Sequence, residues 1–237
     1  MVNTFITSKS YSKSASYLDR ARLGKQRVEA YQILLLLQDL RAISRYFKIS
    51  APAQINEDEI NQEIQGHFER GVWIKNIRLL YFRYLKKGNS PLLRRLNNGK
   101  ERKITLGFSS HPILKMWVGY EESLKRYINI HIDEWVARGY KNTMKKYTID
   151  PQKEILPWWI RFPWVKYSHK SSLLRKEKYR NEKEHYVKNP KFTSKTPENW
   201  KKCGYLWICN LDIEKIKEMI LDPLKVVPEA ICSPIQL

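Results

Sequence analysis

The chain has 237 residues, enough for one large domain or two small ones, and 42% of them are hydrophobic, which excludes wholesale disorder. Lys and Arg number 44 against 24 Asp and Glu, a formal net charge of +20. That excess calls for a polyanionic partner. Nucleic acid comes before a membrane surface, because the cations are spread over several segments and no long basic amphipathic helix dominates.

The N-terminus is polar and has no apolar h-region, so no secretion signal is expected. The longest apolar run, Ile33–Leu37, is far short of a membrane span. Cys203, Cys209 and Cys232 form no C-x-x-C pair. They point to an intracellular, reducing compartment, cytoplasm or nucleus, without a disulfide frame or a bound metal. No cofactor motif is present, no Gly-rich phosphate loop and no Walker sequence.

Val2 follows the initiator Met, and a small residue there permits Met removal. The mature chain would then begin with the Val2 α-amine, whose pKa near ~8 leaves a nucleophilic fraction at neutral pH. Residues 11–18 read as a short helix and 20–47 as a long one. The long helix opens with Arg20, Arg22, Lys25 and Arg27 and continues with an apolar series, Val28, Tyr31, Leu34, Leu35 and Leu37. Glu29 stands at the join. Cations suit phosphates and a single acid among them suits proton transfer, although an ordinary Arg–Glu pair on a solvated helix has the same pattern.

Ala51-Pro52-Ala53 breaks that helix and an acidic stretch, 56–65, follows. Residues 71–87 read as another helix. The basic run 92–103, with Asn98-Gly99 at its centre, reads as a hairpin tip or a loop, solvated or DNA-contacting. From His111-Pro112 the spacing predicts one helix to about Arg138, stopped by Gly139. Pro112 suits the first turn and puts His111 at the helix start, where an anion such as a phosphate is favoured. His131 reads as a packed histidine. Residues 151–167 carry Trp158, Trp159 and Trp164 and read as a loop strapped over the core or as rings that stack on bases. A basic helix is expected at 168–180, with His169, Lys170, Arg175 and Lys176. A polar linker at 189–201, an apolar Tyr205-Leu206-Trp207, a short helix at 211–220 and a Pro-rich tail complete the chain.

Three segments together resemble one family. The first is 18–34, Leu-Asp-Arg-x-Arg-Leu-Gly-Lys-Gln-Arg-Val-Glu-Ala-x-Gln-Ile-Leu. The second is His-Pro-x-x-x-Met-Trp-x-Gly-Tyr-Glu-x-x-Leu from His111, with Glu-Trp-x-x-Arg-Gly-Tyr ending at Tyr140. The third is Ser-His-x-Ser-x-Leu-Leu-Arg-Lys at 168–176, with a later Gly-Tyr-Leu-Trp. As a set they resemble the pyrimidine-dimer DNA glycosylase superfamily, the endonuclease V type.

The resemblance implies a mainly α, compact single-domain fold over 1–237, with a helical and loop insertion at 40–105 and a tail at 221–237. It implies duplex DNA as the partner and an N-terminal amine that attacks the sugar of a damaged nucleotide through a Schiff base. On this chain the catalytic pair maps to Val2 and Glu29. The DNA-binding positions map to Arg20, Arg22, Lys25, Arg27, His111, His169, Lys170, Arg175 and Lys176. A non-catalytic protein that coats or compacts duplex DNA with the same fold is the alternative, and a protein-interaction module is a third. Oligomeric state is left open.

Overall fold

The computed structural model describes residues 4–51, 60–86, 92–95, 99–181 and 213–221. The order of elements is α1 (Tyr11–Ser16), α2 (Arg20–Tyr46), α3 (Ile60–Leu80), β1 (Leu93–Arg95), β2 (Glu101–Lys103), α4 (Pro112–Trp117), α5 (Glu121–Ala137), α6 (Pro163–Asn181) and α7 (Ile213–Leu221). A π-helical turn, Tyr81–Leu85, extends α3, and a 3₁₀ turn, Trp158–Arg161, precedes α6. The fold is mainly α, as expected, and β1 and β2 form an antiparallel pair with Leu93 opposite Lys103. The basic run is therefore a hairpin, and Gly99 takes φ +83° in its connection.

The central helix is α2. Asp19 caps it, its carboxylate accepting from the Arg22 amide at 3.0 Å. Its buried face is Leu23, Ala30, Ile33, Leu34, Leu37, Leu40 and Ile43. That corrects the expected apolar series: Val28 is 44% exposed and Tyr31 and Leu35 are only partly buried. At about 100° per residue, Val28 lies some ~200° around the helix from Ala30 and faces water.

α5 lies along α2, with α1 against its other side, and α3 and α4 close the opposite flank. Leu124, Tyr127, Ile128 and Ile132 of α5 join Ile113, Leu114, Met116 and Trp117 of α4 in the same core. The single helix expected from 111 to 138 is two helices. Gly119, at φ +89°, breaks the ladder, and Tyr120 restarts it as the N-cap residue of α5. The positive φ at Gly119 disfavours any side chain there; the neighbouring Arg70 is buried, with its guanidinium 5.0 Å over the Tyr120 ring.

Trp158, Trp159 and Trp164 are all buried, and the Trp159 indole donates to the Met116 carbonyl at 3.0 Å. This segment is the strap over the core, not a stacking platform. The helix that follows begins at Pro163, five residues before the expected start at 168, because proline is tolerated in a first turn. No helix among the described residues is long and apolar enough to cross a membrane. The expectations for 52–59, for 189–201, for Tyr205–Trp207, for the three cysteines and for the tail beyond Leu221 fall outside the described residues.

Candidate active site and nucleic-acid interface

Residues Thr4–Thr7 are extended and buried, and elements from across the fold hold them. The Thr4 hydroxyl accepts from the Trp117 indole of α4 at 2.9 Å. The Phe5 amide donates to Gln26 Oε1 of α2 at 2.8 Å, and the Phe5 carbonyl accepts from the Tyr127 hydroxyl of α5 at 3.3 Å. The Ile6 amide donates to His169 Nδ1 of α6 at 2.9 Å. The Thr7 amide donates to Ser14 Oγ of α1 at 3.2 Å. Burial without these partners would cost about 1–3 kcal/mol per orphaned group, so the bonds fix the segment's path.

Gln26 is the hinge of the site. Its oxygen accepts from both Phe5 N and Tyr127 Oη, each at 2.8 Å, which directs its amide nitrogen to Glu29 Oε2 at 3.1 Å. Glu29 is 6% exposed, and its other oxygen faces Lys25 Nζ at 3.4 Å. Two hydrogen bonds thus connect the backbone at Phe5 to the Glu29 carboxylate. Val2 lies outside the described residues. One residue, Asn3, separates it from Thr4, so two residue steps, at most about 7 Å of chain, connect them.

The structure divides the expected cations. Arg20 is exposed and lies 4.9 Å over Tyr140, and Lys25 presents 59% of its side chain. Arg22 and Arg27 turn inward, each 8% exposed. Arg22 pairs with Asp19 at 2.6 Å. Arg27 stacks 4.0 Å over Trp135 and donates to Asn142 Oδ1 at 2.8 Å, and burial pushes its pKa below the ordinary arginine value. Both arginines are thus largely engaged within the protein, unlike Arg20 and Lys25.

His169 is likewise buried, at 1% exposure, and burial pushes its pKa down to about 4. Its Nδ1 lies 2.9 Å from the Ile6 amide and 3.2 Å from the Ile6 carbonyl, so the buried His169 ring anchors the N-terminal segment. His111 does begin a helix: its Nδ1 accepts from the Ile113 amide at 3.2 Å as the cap of α4. Burial lowers its pKa, which leaves it a poor cation at neutral pH. His131 is fully buried with Nδ1 2.8 Å from the Tyr127 carbonyl, the packed histidine expected. Lys170 is half-buried, 6.0 Å from the Tyr167 ring. Arg175 and Lys176 lie on α6, and their side chains fall outside the described residues.

The second motif explains how this face is assembled. Glu134 orients Arg138, which donates to the carbonyls of Leu18 at 2.6 Å, Ala15 at 3.2 Å and Ser16 at 3.1 Å, closing the C-terminal end of α1. Gly139, at φ +80°, ends α5 and lets Tyr140 turn back under Arg20. Gly24 gives Trp135 room, since a Cβ there would come within 3.0 Å of its ring. Gln26 lies within the first motif, but a glutamine on a helix carries no sequence signal of its role in the site. Lys141 and Lys145 are exposed in the segment that carries Asn142, the partner of Arg27, and were not among the expected contacts. Their signal was the charge run after Tyr140.

A sequence model of the pyrimidine dimer DNA glycosylase family matches residues 2–148. The chain belongs to the pyrimidine dimer DNA glycosylase family. The matched span includes Thr4, Gln26, Glu29, His111 and Tyr127, and it ends before His169. No curated protein and no solved structure matches the chain significantly. Family membership supports a glycosylase-like, DNA-binding function with duplex DNA as partner. No group of three or more His, Cys, Asp or Glu side chains among the described residues could hold a metal ion.

Proposed function

We propose that the protein is a DNA glycosylase with abasic-site lyase activity on damaged duplex DNA, and that the α-amine of Val2, exposed by Met removal, is its nucleophile. The observation that carries this reading is the bonding of the N-terminal segment to the element that holds Glu29, through Gln26. In this reading the Val2 amine and the Glu29 carboxylate act together, a pairing suited to covalent catalysis at a sugar carbon.

In this reading the neutral amine attacks C1′ and forms a C–N bond. The glycosidic bond breaks, and the base leaves with the electron pair and a proton. The first amine proton goes to the departing base; in this reading Glu29 takes the second and passes it to the ring oxygen, so that the sugar ring opens to the Schiff base. Removal of a C2′ proton then breaks the C3′–O bond and cuts the strand, and water hydrolyses the imine to return the amine. Arg20 and Lys25, with Lys141 and Lys145 beside them, supply the phosphate contacts that hold the nucleotide while it leaves the stack.

The test is incision of abasic and UV-irradiated duplexes by the wild type and Glu29→Gln. The wild type is expected to cut both, and the variant to lose about 10²–10⁴-fold in rate, the usual range for a general acid–base group. Its duplex affinity should stay within a few-fold. A wild type that binds duplex but never incises it would contradict the enzyme reading. The net charge of +20 would then favour the second reading, a non-catalytic protein that coats or compacts DNA.

A further inference from the structure

We propose that the cleft between α3 and α4 binds a phosphate of the duplex backbone, as a second grip away from the Arg20 and Lys25 surface. The cleft has a volume of about 410 Å³ and is lined by Gly71, Lys75, Arg78, Ser109, Ser110 and Lys115, with an apolar side. Positions 71, 75 and 78 recur at four and three residues, so α3 presents them on one face.

Arg78 is fixed there. Its Nε donates to Ser109 Oγ at 3.0 Å, and Ser109 is itself buried, with its amide on the Leu106 carbonyl at 3.2 Å. One of five guanidinium donors is used in that bond. Gly71 adds no side chain to fill the space, and a Cβ there would lie 3.7 Å from Cδ of Lys115.

The charge balance is what marks the cleft. A second cleft of similar size, about 440 Å³ beside α2 and α5, also holds cations, but carboxylates line it too. There Arg41 pairs with Glu121 at 2.6 Å and Lys125 with Glu122 at 2.5 Å. Among the described residues, no carboxylate lines the α3–α4 cleft. Gathered like charges repel, and an anion with several oxygens relieves that repulsion while accepting from the guanidinium, the ammonium groups and the hydroxyls together.

Its position fits a backbone contact. Lys115 precedes Trp117 by two residues, about 200° around α4, and Trp117 bonds Thr4 on the opposite side. The cleft and the N-terminal segment therefore flank α4 on different sides.

The choice of duplex DNA as the phosphate's source rests on the reading above, so the test separates the two. Duplex affinity is measured by fluorescence anisotropy from 50 to 200 mM salt, for the wild type and Lys75→Gln/Lys115→Gln. Arg78 is kept because it holds Ser109. Each lost phosphate contact is expected to lower the slope of log K against log salt by about 0.9. Single-turnover incision at saturating DNA should be unchanged. A control of equal charge change, Lys13→Gln/Lys48→Gln, should leave the slope in place. Equal slopes for the cleft variant and the wild type, with duplex binding intact, overturn the cleft assignment alone. An absence of duplex binding by the wild type overturns both readings. Equal slopes, with inorganic pyrophosphate raising the melting temperature of the wild type but not of the cleft variant, overturn the duplex source in favour of a free phosphate compound.

Discussion

His169 and Gln26 show how single side chains set up the site without touching substrate. Each receives one backbone amide of the Thr4–Thr7 segment, and each lies on a different helix. Gln26→Leu keeps much of the volume but removes both the Phe5 anchor and the amide that orients Glu29. Incision should fall while duplex affinity changes little, and a binding curve beside a single-turnover assay checks this. His131 gives a test at the same scale. Burial lowers its pKa from 6.5 to about 4. Between those values the unfolded chain binds a proton that the folded chain does not, so stability falls as pH drops from about 6.5 towards 4. His131→Phe keeps the ring against Tyr127 and removes the titration. The loss of unfolding free energy between pH 7 and pH 4 should shrink by on the order of 3 kcal/mol in that variant, read by denaturant melts at both pH values. An unchanged loss would contradict the assignment. The packed role of His131 was legible because the residue falls on an apolar stripe. His169 was not, because its partner, Ile6, is 163 residues away.

At the scale of elements, the existence and length of α2 were readable, but the orientation of its cations was not. Arg22 and Arg27 carry the same charge as Arg20 and Lys25. Only the neighbours Asp19, Trp135 and Asn142 decide that the first two turn inward. The break between α4 and α5 was missed because the apolar stripe continues across Gly119, and only its positive φ ends the ladder. The hairpin is tied to α2 by Arg94, which pairs at 2.7 Å with Asp39 inside the core. Burial raises Asp39 to about 7, with Arg94 opposing the rise. Arg94→Met leaves that carboxyl buried alone, and breaking such a pair costs about 3–5 kcal/mol where the charge persists. Removing the guanidinium raises the Asp39 pKa further. The destabilisation should therefore be larger at pH 8 than at pH 5, where the proton is bound. Equal losses at the two pH values would show that the pair adds little.

For the whole molecule, the excess of Lys and Arg and the three motif segments were enough to point to DNA and to this family, and the match over 2–148 agrees. What composition could not reveal is where the charge is unanswered. Many of the described cations pair with carboxylates, as at Arg41, Lys125 and Arg138, whereas Arg20 stacks on Tyr140 and the α3–α4 cleft gathers Lys75, Arg78 and Lys115. The claim on which the rest depends is that the chain's own first amine reaches a deoxyribose. It is tested by reducing the mature protein with borohydride on an abasic duplex, digesting the adduct and locating the sugar by peptide mass spectrometry. The sugar is expected on the α-amine of the peptide that begins at Val2. An adduct on an internal lysine such as Lys25, or no adduct from a protein that does incise the duplex, would contradict it.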